Sequence, residues 1–308
     1  IETTLKKEMD IPVFHDDQHG TAIAALAGVI GAFRHVHKEL KTAKIVINGA
    51  GAAGASIGRL LVRAGAANVT MVDKAGMLYE GMEGLNPVQA ELAALTNKTK
   101  QHGTLADAVQ GADLLLGVSG PHLFTKEIIA SMNKDAVVFA MANPIPETDY
   151  QSAKAAGARV VGTGRSDSPN QINNVMVFPG IFRGALAVRA RSINEDMKLA
   201  ASHAIASLIK DDELTDEYVI PDSFDKRVAP AVAAAVAKAA MDSGTARITV
   251  DPEMVRTSCQ TNRQPASSIR PAAWLIRSTR SDIIKHIRCT PNCPMSLFDI
   301  IGQFFMTM

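Results

Sequence analysis

Lys44-Ile45-Val46-Ile47-Asn48-Gly49-Ala50-Gly51-Ala52-Ala53-Gly54-Ala55-Ser56-Ile57-Gly58 is the stretch that decides the fold. A run rich in β-branched residues enters a Gly-x-Gly-x-x-Gly turn. A helical pattern leaves it, with Ile57, Leu60 and Leu61 on one face. Nineteen residues after Gly54 a second apolar run, Asn68-Val69-Thr70-Met71-Val72-Asp73, ends in an acid. A glycine triplet alone is a weak signal. Strand, turn, helix, second strand and terminal acid together form the dinucleotide-binding fingerprint. Gly49 permits the tight turn. Gly51 lets backbone N–H groups approach a pyrophosphate at the positive end of the helix. Gly54 lets the helix lie close to the strand, and Asp73 accepts hydrogen bonds from the adenosine ribose.

Working outward, buried strands alternate with helices. Residues 113–119, 136–142 and 159–162 read as strands, and residues 87–96, 104–110, 125–132 and 147–156 as helices. This alternation predicts an α/β fold: a doubly wound, Rossmann-like parallel sheet with flanking helices. Upstream, residues 1–10 read as the end of a polar helix, residues 11–14 as a short strand and residues 21–40 as a helix. Downstream, helices are expected near residues 181–191, 195–210 and 225–242. The expected division is a remnant of a preceding domain with a metal-site strand at 1–20, the nucleotide-binding domain at 21–255, and a tail at 256–308.

The tail differs in kind. It carries seven Lys/Arg against two Asp/Glu, all three cysteines (Cys259, Cys289, Cys293) and the only tryptophan, Trp274. Two accounts fit it: a disordered or non-native extension, or a small docking tail. The rest of the chain lacks cysteine, which suits a cytoplasmic protein without disulfides. Of 308 residues, 47% are hydrophobic and 20% charged, with a formal net charge of +1. That balance gives no electrostatic case for nucleic acid or a membrane surface. No apolar run reaches the roughly 20 residues of a membrane span. The chain opens on Ile1-Glu2-Thr3-Thr4 rather than on a signal peptide or Met, so it is expected to begin inside a longer protein.

Three groups of residues could do chemistry. Asp16 and Asp17 stand between His15 and Gln18. Adjacent carboxylates repel, so a buried pair calls for a cation, and Mg²⁺ or Mn²⁺ suits such oxygen ligands. The alternative is an exposed turn in which Asp17 caps the following helix. Asn143 ends a strand before Pro144, where its amide would face the crevice at the carboxyl edge of the sheet. It could equally be a turn asparagine. Asn173 and Asn174 share that ambiguity, and Ser119-Gly120-Pro121 reads as crevice wall.

Five motifs in order resemble the bacterial malic enzymes. They are Phe14-His15-Asp16-Asp17-Gln18-His19-Gly20-Thr21-Ala22, Asn48-Gly49-Ala50-Gly51-Ala52-Ala53-Gly54, Val118-Ser119-Gly120-Pro121, Met141-Ala142-Asn143-Pro144 and Asn173-Asn174-Val175-Met176-Val177-Phe178-Pro179-Gly180. The resemblance covers about residues 1–255 and is nearest to the NADP-dependent type. It implies oxidative decarboxylation of L-malate to pyruvate and CO₂ with a nicotinamide cofactor and Mg²⁺ or Mn²⁺. It implies Asp17 as an acidic metal ligand with Asp16 as the lesser candidate. Residues Ala50, Ala52 and Ala53 join the three glycines as phosphate-loop contacts. Asn143 becomes a cofactor or substrate contact and Asn174 a substrate contact. The full-length parent is expected to be a homo-oligomer.

Departures from the family count too. The family's tyrosine acid, lysine base and Glu-Asp metal pair belong to an N-terminal domain that this sequence does not match, so no catalytic residue is assigned here. The chain is expected to bind NAD(P) and to turn over malate poorly or not at all. Cofactor choice is split: the resemblance points to NADP, whereas Asp73 favours NAD by repelling a 2′-phosphate, an effect that Lys74 could offset. The rival readings are a non-catalytic NAD(P)-binding module and another Rossmann dehydrogenase acting on hydroxy or amino acids.

Overall fold

A computed structural model describes residues 2–260 of the chain. Among these residues, one six-stranded sheet lies between layers of helices. Its strands are β1 (Lys44–Asn48), β2 (Asn68–Asp73), β3 (Gly76–Met77), β4 (Leu114–Gly117), β5 (Val137–Ala140) and β6 (Val160–Thr163). They lie in the order β3-β2-β1-β4-β5-β6. All neighbours are parallel except the short β3, which turns back antiparallel on β2. From β1 the chain builds outward through β2 and then returns to add β4 on the other side. The carboxyl ends of β1 and β4 therefore flank the topological switch point, where open α/β sheets bind ligands.

The strand interiors are largely apolar because both faces are covered. Ile45 and Ile47 of β1, Leu114 and Leu116 of β4, and Val137 and Phe139 of β5 join one core cluster. The alternate residues Val46, Leu115 and Val138 join a second cluster on the other face. Helices α1 (Glu2–Glu8) and α2 (Asp16–His35) precede the sheet, and α3 (Ala52–Arg63) follows β1. Next come α4 (Pro87–Leu95), α5 (Leu105–Val109), α6 (Lys126–Ala130) and α7 (Tyr150–Ala155). The C-terminal part holds α8 (Phe178–Ala187), α9 (Glu195–Ala206), α10 (Val228–Asp242) and α11 (Pro252–Gln260). Its alanines let α10 pack against α8, α9 and α11. No described helix is long and apolar enough to cross a membrane.

The structure corrects several expectations. Residues 11–14 do not form a strand. Pro12 lacks an N–H for a ladder, and the chain enters α2 directly. That helix begins at Asp16, five residues earlier than expected, and crosses the 20/21 boundary without a break. Asp16 and Asp17 therefore occupy its first turn, where the helix dipole favours acids. Asp17 is not the cap: His15 holds the N-cap position, with no side-chain capping bond. The sheet is not wholly parallel, because a tight turn at Lys74 and Ala75 brings the chain straight back, with Gly76 at φ of +100° opening the antiparallel β3. The helix expected from residue 181 already starts at Phe178, with Pro179 in its first turn. Helix α11 runs through Arg256 to Gln260, and the remainder of the expected tail, residues 261–308, lies outside the described residues.

Candidate active site

The glycine turn divides its work among three residues. Gly49 has φ of +113°, a conformation that L side chains rarely adopt. A Cβ there would lie 2.8 Å from the Val118 carbonyl oxygen. At Gly54 a Cβ would come within 1.8 Å of the Gly49 carbonyl oxygen, so only glycine lets α3 sit this close to the turn. Gly51 is the reverse case. Its backbone is extended, it is exposed, and a Cβ there would meet nothing within 4 Å. As the N-cap of α3 it makes no side-chain capping bond. The first N–H groups of the twelve-residue helix thus face an open approach. That geometry fits a pyrophosphate, whose oxygens accept backbone N–H bonds at a helix N-terminus. Ala50 is buried, Ala52 exposed and Ala53 half-buried beside it.

Asp73 sits at the end of β2, next to that approach. Its Oδ1 accepts from the Lys74 N–H at 2.8 Å and its Oδ2 from the Gln89 side chain at 2.6 Å. Gln89 is itself fixed, because its Oε1 accepts from the Asn86 N–H in the capping box of α4. The carboxylate is therefore held in one orientation and keeps lone pairs for further donors, a geometry that fits ribose hydroxyls. The sequence motif did not include Gln89.

On the other side of the switch point a hydrogen-bonded chain links three strand ends. Asn48 at the end of β1 donates through Nδ2 to Ser119 Oγ at 2.8 Å. The Ser119 hydroxyl and N–H lie 3.4 and 2.9 Å from Glu147 Oε1. The Ala142 N–H donates to Glu147 Oε2 at 3.0 Å. Asn143 follows directly; it is exposed, and its peptide bond to Pro144 is cis. A Cβ on Gly164 would lie 3.2 Å from the Asn143 Nδ2, so the amide lies beside the chain that leaves β6. Ser119 is thus more than crevice wall. Glu147, read from the sequence only as the start of a helix, is a buried junction.

The acids at the start of α2 meet the late motif. Asn174 Nδ2 donates to Asp16 Oδ2 at 2.6 Å, across 158 positions of sequence. Asp16 Oδ1 is buried with no hydrogen-bond partner. A Cβ at Gly20 would lie 2.1 Å from that oxygen, so the glycine makes room for the carboxylate one turn back. Burial pushes the Asp16 carboxyl above its ordinary range, and the neighbouring Asp17 adds to this, against the lowering effect of Asn174. Asp17 itself is exposed. An orphaned buried oxygen beside an exposed carboxylate suits a hard divalent cation that takes oxygen donors. Among the described residues, no group of three or more His, Cys, Asp and Glu forms a cage, so these acids would be part of a donor set.

Behind the acids lies a buried polar cluster. His19 accepts through Nδ1 from Lys198 Nζ at 3.0 Å, and its Nε2 lies 2.8 Å from Glu2 Oε1. Those partners assign a neutral ring protonated on Nε2. Burial, then the Lys198 charge, pull the His19 pKa down to about 4. Burial lowers the Lys198 ammonium too, while Glu195 at 2.7 Å supports its charge.

A protein-family profile described as "Malic enzyme, NAD binding domain" matches residues 18–241. The chain is 58% identical over 256 residues to the "Bifunctional malic/malolactic enzyme" of Bacillus subtilis (strain 168), covering 83% of this chain and 62% of that protein. It is 51% identical over 247 residues to the "NAD-dependent malic enzyme" of Geobacillus stearothermophilus, covering 80% and 52%. Among solved structures, the malic enzyme of Pyrococcus horikoshii Ot3 matches with a TM-score of 0.80 and 43% identity, over 83% of this chain and 61% of that one. The chain therefore spans between half and two thirds of the length of these relatives.

Proposed function

This chain belongs to the malic enzyme family, and from that premise we propose that it holds NAD, and less tightly NADP, for the oxidative decarboxylation of L-malate to pyruvate and CO₂ with Mg²⁺ or Mn²⁺. The observation that carries this is the open approach at Gly51, lying between a fixed ribose acceptor, Asp73, and the strand end that bears Asn143. When bound, the nicotinamide accepts the hydride and the divalent ion polarises the carbonyl oxygen.

The chain's own groups supply binding and orientation. Backbone N–H groups of the Gly49–Gly54 turn take the pyrophosphate. The Asp73 carboxylate takes the adenosine ribose hydroxyls and repels a 2′-phosphate, which favours NAD. Asn143 and Asn174 hydrogen-bond carboxamide or carboxylate oxygens without adding charge. Asp17, with Asp16 behind it, contributes anionic oxygens to the metal. Asn174 joins the two functions because it already bonds Asp16.

The test has two stages. NADH and NADPH are titrated against the chain by nicotinamide fluorescence. Malate- and Mn²⁺-dependent reduction of NAD⁺ and NADP⁺ is then followed by absorbance. Tighter NADH than NADPH binding, together with malate- and Mn²⁺-dependent reduction of the nucleotide, however slow, supports the proposal. Tight dinucleotide binding that neither malate nor Mn²⁺ alters would instead favour a non-catalytic nucleotide-binding module.

A further inference from the structure

Glu147 is fully buried, and the donors it meets are neutral: the Ser119 N–H and hydroxyl on one oxygen and the Ala142 N–H on the other. The place is built for it. Gly117 closes β4, and a Cβ there would lie 2.4 Å from the Glu147 carboxyl carbon and 2.5 Å from Oε1. A glycine in a central strand sacrifices packing and order, and here its missing side chain is the space the carboxylate fills.

The position of the bonds matters more than their number. The β4–β5 ladder reaches the Met141 N–H, which donates to the Gly117 carbonyl at 3.0 Å. The next strand-end groups, the Ser119 N–H on one chain and the Ala142 N–H on the other, both turn to Glu147. One carboxylate therefore sets the separation of the two chains as they leave the sheet. Through Ser119 it also reaches Asn48, the residue before the glycine turn. Asn143 comes directly after Ala142 and faces out. Asp73 at the end of β2 fixes the adenosine half of a dinucleotide on one side of the switch point. The nicotinamide half then lies over β4 and β5.

We propose that Glu147 is a positioning residue: its carboxylate clamps the carboxyl ends of β4 and β5 and sets the Asn143 amide for the nicotinamide half of the cofactor. This rests on the dinucleotide-binding reading of the crevice. Glutamine at 147 would keep the shape but turn an amide N–H₂ toward a backbone N–H that now finds an acceptor. One strand end would lose its anchor.

The experiment compares two probes on the full chain. NADH carries the nicotinamide ring with its carboxamide, and ADP-ribose is the rest of the cofactor without that ring. Glu147→Gln is expected to weaken NADH binding about tenfold, the scale of one hydrogen bond to a charged acceptor, and to leave ADP-ribose binding within about twofold. In an Asn143→Ala background, Glu147→Gln should add no further loss, because both changes act on the same contact. Equal loss of NADH and ADP-ribose would overturn the proposal by showing a merely structural role. So would wild-type NADH binding in Glu147→Gln, or losses that add with Asn143→Ala. If Glu147→Gln does not fold, Glu147→Asp and its double variant with Asn143→Ala make the same comparison, since the shorter side chain keeps the carboxylate but draws it back by one methylene from the two backbone N–H groups it holds. Failure of the wild-type chain to bind either probe would instead refute the cofactor reading itself, and the proposal with it.

Discussion

Gly51→Ala should separate binding from folding. The residue has φ of −77° and ψ of −167°, which alanine adopts without strain, and its Cβ would touch nothing within 4 Å. Two small terms then oppose each other. Alanine is a poorer N-cap than glycine by several tenths to about 1 kcal/mol. The unfolded chain loses freedom, which returns about 0.4–1 kcal/mol. Net stability is therefore near zero change. Binding has no such compensation, because the new methyl stands on the approach to the α3 N–H groups. Losing even one hydrogen bond to a charged phosphate, at about 1.5–3 kcal/mol, costs roughly tenfold to a hundredfold in affinity. Gly54→Ala is the contrast. Its Cβ would lie 1.8 Å from the Gly49 carbonyl and 3.2 Å from Val118 Cγ2, so the helix must lift. Overpacking of that kind costs about 1–3 kcal/mol. At 2–4 °C per kcal/mol that is roughly 2–12 °C of Tm. Thermal unfolding by circular dichroism and NADH titration measure both quantities on both variants. The reasoning fails if Gly51→Ala binds NADH like the wild type, or if it melts as low as Gly54→Ala.

Asp17→Asn should weaken Mn²⁺ binding, measured by calorimetry, more than tenfold, as expected when one of few anionic ligands is lost; unchanged affinity would remove Asp17 from the metal site. Asp16→Asn should raise the metal-free Tm at neutral pH. Its carboxyl is pushed up by burial, so the fold favours the protonated form and loses stability as pH rises through that raised pKa; a lower Tm would contradict this. Asp73→Asn should narrow the preference for NADH over NADPH, and titration of both nucleotides will show whether the ratio moves. For His19 the sign is opposite: its pKa falls from 6.5 unfolded to about 4 folded, so the unfolded chain binds more protons between those values and stability drains away as pH falls from 6.5 to 4. Residual solvent contact and coupling to Lys198 reduce the effect to about 1–2 kcal/mol. It should appear as a steeper acid loss of Tm in the wild type than in His19→Gln.

What could be seen in the sequence was local. The run from Lys44 through Gly54 to Asp73 carries strand, turn and acid in neighbouring residues, and the structure places all three as read. Alternate residues of β1, β4 and β5 go to opposite cores, which is why those segments look uniformly apolar and could be recognised as interior strands. The start of α2 is hidden because Ile11, Val13 and Phe14 look like a strand, yet a strand needs a partner that the sequence does not display. Long-range pairings were illegible for the same reason. Nothing near Asp16 announces Asn174, and nothing near Asp73 announces Gln89, which does its work from the capping box of a helix. Glu147 follows two prolines and resembles any acid at the start of a helix. Its burial comes from the space at Gly117, thirty positions earlier.

Those hidden contacts explain how a site gathered from distant segments can be rigid. Helix α2 carries the acids at its first turn and is tied down along its length. A Cβ at Gly28 would be 2.7 Å from Ile172 Cδ1 and 3.2 Å from Phe139, a β5 residue, and one at Gly31 would be 1.9 Å from the Val219 carbonyl oxygen. At its far end Arg34 donates to the Ala206 and Ile209 carbonyls and to Asp211, and His35 to Asp216. At about 1.5 Å per residue, the twelve positions from Gly28 to Asp16 span roughly 18 Å of helix. The Asp16 carboxylate is thus placed by a rod that rests directly on β5, the strand whose exit carries Asn143. Glu147 grips that same exit. The acids at the start of α2 and the crevice amide are therefore referred to one strand, one through glycine contacts and the other through a buried carboxylate. Neither device leaves a motif of its own in the sequence.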